Sequence, residues 1–309
     1  MTETERPKSS SPRPAFDVAT HVPFRDVTRH LWGNRDSGEV ADWIYVSSDK
    51  IHHLVFGLPP GGAFRHSDRF RTIFAADELL HVLQGTMAIA NPETGEVQRV
   101  RAGEAVFFRR DTWHHAMSMG TDALRVLEFF APPPASGASS AYAQTKELLA
   151  DVRYEDDRWR DRWPMAVDEQ RAAATLRVIR DADVLWSLDA PDPATAEGAG
   201  RAAGGLRGTY VSTEHLTAGS LTLPAGSRTA EHLHGGDETV HVVRGTLSVL
   251  LIDAVGAGGR SWFEVHPDDA FYVPEGTRHE FRNVGDEPAE LLFAVAPSFE
   301  ADPGVLGHD

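Results

Sequence analysis

The chain of 309 residues is 41% apolar and 9% aromatic, enough to build a proper core in one large or two ordinary domains. Asp and Glu outnumber Lys and Arg by 46 to 30, and the formal charge of −16 argues against nucleic acid and membrane surfaces as partners. There is no cysteine, which excludes disulfides, a thiolate nucleophile and Cys-ligated metal, so any metal must sit on His, Asp or Glu.

In chain order, residues 1–20 open with MTETERPKSSSPRPAFD, which reads as a disordered Pro/Ser-rich tail without the apolar stretch of a signal peptide. No later run is apolar enough to span a bilayer as a helix, so a cytoplasmic protein is expected. Over 21–135, short alternating or β-branched runs bounded by Pro, Gly and Asp predict the antiparallel strands of a sandwich or barrel. His52-His53 lies in one such run and reads as a strand face rather than a ligand pair. APPPASGASS leads into a linker over 136–175, and the Ala, Leu, Arg and Glu content of Thr145 to Asp151 and Asp168 to Arg180 predicts helices. Over 176–300 the strand pattern returns, as in HVVRGTLSVLLI and AFYVPEG.

The two strand-rich stretches are copies of each other. Tyr45-Val46-Ser47-Ser48 answers Tyr210-Val211-Ser212-Thr213, and Leu58-Pro59-Pro60-Gly61 answers Leu223-Pro224-Ala225-Gly226, both 165 residues on. Between Glu78 and Glu238 the offset falls to 160, and at His114 and His279 it is 165 again. The first copy therefore has about five extra residues between Gly61 and Glu78, which the second regains around Asp253 to Gly259. Compensating insertions in loops are what a duplicated fold tolerates.

The second copy carries the clearest chemistry. In His232-Leu-His234-Gly-Gly-Asp-Glu238, strand parity turns both imidazoles and the carboxylate to one side if the Gly235-Gly236 turn preserves it. The segment from Asp268 through Pro274, Gly276 and His279 to Asn283 makes a strand, a turn and a returning strand that begins at a third imidazole. Three neutral nitrogens and a carboxylate suit Fe(II), Mn(II), Ni(II), Cu(II) or Zn(II), with positions left open to water, oxygen or substrate. His241, three residues after Glu238, faces the opposite side, and with its counterpart His81 it reads as a packing or interface residue.

These two segments resemble the motif pair of the cupin superfamily, G-x5-H-x-H-x3,4-E-x6-G and G-x5-P-x-G-x2-H-x3-N. Gly226 to Gly245 matches the first in full, and the second is matched except that Asp268 stands where the pattern begins with Gly. With its duplication the chain is similar to a bicupin over both halves, tail and linker apart. The resemblance implies an all-β fold of two tandem cupin (double-stranded β-helix, jelly-roll) barrels with a few short helices in the linker. It implies a divalent ion, Fe(II) foremost, on His232, His234, Glu238 and His279, with Glu238 also the candidate catalytic residue, as ligand or base.

Quercetinase-like and gentisate-dioxygenase-like bicupins are the nearest activity types, so a dioxygenase acting on a small organic, even aromatic, substrate is the leading expectation. Val240, Leu247, Phe271 and Phe281 are expected around the site. The alternatives are a metal-dependent isomerase, cyclase, lyase or decarboxylase using the ion as a Lewis acid, and a non-enzymatic binding protein. The expected partner is a small-molecule substrate, and the expected state a monomer or homodimer.

In the first copy Glu78, Gly85 and His114 keep their places, but counting back from Glu78 puts Thr72 and Phe74 where the histidine pair would be. Counting forward from Gly61 gives His66 instead, and a second metal site of His66, Glu78 and His114, with Asp68 as a further donor, has the two-His, one-carboxylate composition of non-haem iron enzymes. Arg109 and Asp111 depart from the Pro and Gly of the second motif, and His115 should face away from His114. Neither a phosphate-binding Gly loop with its Lys nor a Gly-x-Ser-x-Gly elbow occurs.

Overall fold

The computed structural model describes residues 11–67, 73–132, 146–189 and 204–301. Alternation along the strands sets the layers. In Asp237–Arg244, for example, Val240 and Val242 enter one core while Thr239 and His241 look out of the other face of the sheet.

Each half is a pair of facing sheets, all antiparallel. In the first, a seven-stranded sheet runs in the order Arg177–Ile179, Ala105–Phe108, Asp77–Gln84, Leu124–Ala131, His52–Leu58, Gly38–Ser47, Arg29–Asn34, against a four-stranded sheet of Ala63–Phe64, His115–Ser118, Thr86–Asn91 and Glu96–Arg101. In the second, the order is Thr20–Val22, Ala270–Val273, Asp237–Arg244, Ala289–Ala296, Thr217–Leu223, Gly205–Ser212, Leu185–Asp189, against Trp262–Val265, Leu247–Leu251 and His279–Arg282. Strand for strand the large sheets coincide, which is the duplication in three dimensions and a jelly-roll arrangement in each half.

The outermost strand of each large sheet comes from the other half of the chain. Thr20–Val22 pairs with Ala270–Val273, and Arg177–Ile179 with Ala105–Phe108. Equivalent acids hold both: Asp269 takes the His21 ring at 2.8 Å and the Phe24 amide at 2.9 Å, and Glu104 lies 3.3 Å from Arg180. The strand Thr20–Val22 straddles the line drawn at 21, and Arg177–Ile179, just past the line at 176, joins the sheet of the first half. The tail expected to be disordered to residue 20 is ordered from residue 11, where the Pro14 carbonyl accepts from Ser47 and Phe16 packs on Tyr272; residues 1–10 lie outside the described residues.

The linker helices also need correction. Residues 146–151 are not helical, and Thr145 lies outside the described residues. The second helix is only Val167–Ala173, because the Thr175 and Leu176 amides donate to the buried Glu96 carboxylate, which pins the chain in extended form as it enters the strand Arg177–Ile179. Most of APPPASGASS falls outside the described residues. Among them, no helix is long and apolar enough to cross a membrane.

Among the described residues three large apolar cores result: one inside each half, and a third between the halves, built from residues such as Tyr45, Val55, Leu127 and Phe129 against Leu216, Tyr272, Leu292 and Ala294; a small fourth cluster joins Ile73 and Trp113. Polar contacts cross this interface in matched pairs. Tyr45 lies edge-on to His241 and Tyr210 stacks on His81, placing both histidines in the interface. Ser48 and Lys50 reach Asp237, while Thr213 reaches its counterpart Asp77. Asp237, almost fully buried, also accepts from the Tyr272 hydroxyl at 2.5 Å and the Glu275 amide at 3.1 Å. Asp237→Ala strands these donors, and a loss of about 3 kcal/mol in urea unfolding is expected; an unchanged midpoint would mean that the network contributes nothing net.

Candidate metal centre

The turn that sets strand parity before Glu238 depends on its glycines. A Cβ at Gly236 would stand 2.3 Å from the Ala296 carbonyl oxygen, and one at Gly235 2.5 Å from that of Glu300. The close backbone approach brings His232, His234 and Glu238 to one side, their ligand atoms all within 4.8 Å of one another. His279, opening the returning strand, is bridged to His232 by backbone hydrogen bonds in both directions at 2.9 Å. Its Nε2 lies 2.7 Å from Glu238 Oε2, and His234 Nε2 lies 3.8 Å from the same oxygen.

Second contacts fix how these rings are used. The Nδ1–H of His232 donates to the Ala230 carbonyl at 2.9 Å, that of His234 to Phe299 at 2.7 Å, and that of His279 to Thr277 at 2.9 Å. Each ring then presents an Nε2 lone pair inward. Burial pushes the His232 and His279 imidazoles down to about 4 and lowers His234 as well, so the rings are neutral at pH 7. Three lone pairs and a carboxylate facing one another repel unless a cation lies between them. Bonds of about 2.1 Å to one ion put neighbouring ligand atoms about 3 Å apart, which the spacings of 2.7 and 3.8 Å bracket. The donor set fits a divalent ion.

The surrounding pocket is lined by Leu221, Thr229, Phe281, Leu291 and Phe293, with Phe299, Asp189 and Arg207 also in the lining. Of the four apolar residues expected here only Phe281 lines it; Val240, Leu247 and Phe271 are in the packed core behind. Arg207 lies over the Phe299 ring at 5.2 Å and is 3.6 Å from Asp189. Neither charge was singled out from the sequence, although Arg207 stands 165 residues after Asp42, another charged residue on the same strand of the duplicated sheet.

The first half does not assemble the corresponding site. His66 turns to His115, its Nδ1 2.6 Å from His115 Nε2, and His115 Nδ1 is 2.7 Å from the Tyr154 hydroxyl. His115 does face away from His114, and it takes His66 with it. Glu78 instead shares a hydrogen bond with Glu128, and His114 Nε2 stays 3.9 Å from Glu78. Among the described residues, His66, Glu78 and His114 form no three-donor group, and Asp68 lies outside them. His66 lies beside Trp113 instead, ring centroids 4.7 Å apart. Asp111 keeps the turn geometry without glycine, at φ 63° against 72° for Gly276, and Asp268 does likewise at 69°. Arg109 pairs with Glu214 across the interface and with Asp77.

A cupin-domain family model matches residues 219–295, and solved structures of the cupin fold align along both halves. Residues 219–295 are a cupin domain, and the chain as a whole has the fold of two-domain cupins. Among curated proteins, this chain is 37% identical over 91 residues to the polyketide synthase protein CurC of Streptomyces cyaneus, covering 29% of this chain and 53% of that one. It thus spans about half the length of that relative. In fold it is similar to a putative glyoxylate-induced protein of Pseudomonas aeruginosa, at TM-score 0.60 and 11% identity over 93% of this chain and 92% of the other. It is similar also to the oxalate decarboxylase of Bacillus subtilis, studied for its Mn(II) centres, at TM-score 0.54 and 15% identity over 96% and 80%.

Proposed function

We propose that this protein is a metal-dependent enzyme in which His232, His234, Glu238 and His279 hold one divalent ion and Arg207 binds the anionic end of a small, oxygen-bearing organic substrate. The observation that carries this reading is the donor set, four acceptors turned on one point with every Nδ1–H already committed to a carbonyl. Such an ion, when bound, polarises substrate oxygen and, as Fe(II), supports chemistry with O₂.

The chain's own residues do the rest. Arg207 has donors beyond those facing Asp189 and Ser187, so a carboxylate or enolate is drawn to the metal side of the pocket. Leu221, Phe281, Leu291 and Phe293 hold the apolar body and exclude water, which strengthens each charge interaction inside. Glu238 offers a carboxylate that can take a proton from a substrate held there.

Two reaction classes use this arrangement. Dioxygenation is the class implied by the resemblance to ring-cleaving bicupins. Lewis-acid chemistry, as in a decarboxylase or cyclase, is favoured by Arg207 and by similarity to proteins named for oxalate and for polyketide synthesis. Oxygen uptake by the Fe(II)-loaded protein during turnover separates them.

The anion reading is tested without knowing the substrate. Oxalate should lower the water-proton relaxation of the Mn(II)-loaded protein, and Arg207→Ala should weaken oxalate about ten-fold with bound Mn(II) unchanged. An oxalate titration that leaves the relaxation untouched would sink it.

A further inference from the structure

The interior of the first half holds acids where the strand pattern calls for apolar side chains. Asp42 sits between Val40 and Ile44, Glu128 between Val126 and Phe130, and Glu78 precedes Leu80 and Val82, all of whose apolar members belong to the inner core. Asp42 and Glu128 line a pocket walled by Trp32, Phe56, Phe64, Phe74 and Phe130. Asp42 is 6% exposed and Glu78 1%, and in each one carboxylate oxygen accepts no hydrogen bond from the described residues: Oδ1 of Asp42 and Oε2 of Glu78. Among the described residues, no Lys or Arg is in the lining. The two histidines there, His52 and His114, are held neutral by burial and use Nδ1 on the Ser47 hydroxyl and the Thr112 carbonyl.

The duplication sharpens the contrast. The residues 165 on from Asp42 and Glu128 are Arg207 and Phe293, both lining the second-half pocket, so one acid is answered by a cation and the other by an apolar ring. Buried carboxyl groups with unused acceptor oxygens and aromatic faces, without a cation among the described lining residues, suit a positively charged donor.

We infer that the first half is a metal-free binding site for a small organic ammonium with an aromatic or apolar body, whose N–H groups meet Asp42 and Glu128, the latter backed by Glu78, and whose body lies among Phe64, Phe74 and Phe130. Glu78 and Glu128, sharing one hydrogen bond, are the acidic groups that adjust to the incoming charge. This site is separate from the metal centre and does not depend on it.

The test compares two probes of nearly equal shape, phenethylammonium and 2-phenylethanol, by calorimetric titration of the full chain. The ammonium should bind at least about ten-fold more tightly than the alcohol, Asp42→Asn should remove that preference, and His232→Ala should leave it intact. Equal affinity for the two probes on the wild-type protein, or failure of both to bind, overturns the inference whether or not the Asp42 variant folds. A preference lost in the His232 variant would overturn it also, since it would place the ammonium at the metal centre.

Discussion

Replacing His232 by Ala is expected to strip the protein of its metal, from about one equivalent per chain to less than a tenth, as read by elemental analysis after dialysis. The ring supplies one of four donors, and its Nδ1–H is already fixed on Ala230, so no neighbouring nitrogen takes its place. Loss of a supporting contact to a ligand weakens metal binding by about 10–100-fold, so loss of a ligand should exceed that. His66→Ala should leave the metal content unchanged, because His66 is bonded to His115 rather than turned to Glu78. Metal retained in the His232 variant and lost in the His66 variant would reverse the assignment of the two halves.

The second large effect is acid sensitivity. Burial is the first cause of every shift involved. Outside the metal centre, His81, His114 and His241 fall to about 4, His52 and His115 to about 3, and His53 lies well below its ordinary value. A histidine whose folded value is depressed contributes stability that is whole above the unfolded value near 6.5 and is lost as pH falls toward the folded value. Three acids oppose this: Glu128 is pushed up to about 7, and Glu78 and Asp42 are raised well above the carboxylate range. Their contribution is present at low pH and lost as pH rises through the folded values. His66 is lowered by burial as well, and seven losses against three gains leave a net fall in stability between pH 7 and pH 5. Urea midpoints measured across that window should drop steadily; a flat or rising profile would contradict the buried, neutral state of these rings.

Much of the metal centre was legible in the sequence because strand parity is local. Once His232, His234 and Glu238 are read on a strand-turn-strand, their common direction follows from the period of two, and the only open condition, the Gly235-Gly236 turn, is met by close backbone contacts. His241 was separable from Glu238 by the same count. The first half was harder for the same reason. Five inserted residues break the count between Gly61 and Glu78, and no local rule says which way His66 turns. The inward acids Asp42 and Glu128 carried a signal, a charge amid alternating apolar residues, that stands out only when the strands are known.

The sequence by itself determined the duplication, the β architecture of each copy and the common direction of His232, His234 and Glu238 in the second, since these rest on alternation, spacing and residue chemistry within short segments. Only the tertiary structure decided that each large sheet takes its outer strand from the other half, that a third core joins the halves, that His66 is bound to His115, and that Arg207 faces the metal pocket while Asp42 and Glu128 face the other. Those features join residues more than a hundred positions apart or hang on the direction of a single side chain, and both are set by how the sheets pack rather than by any local period.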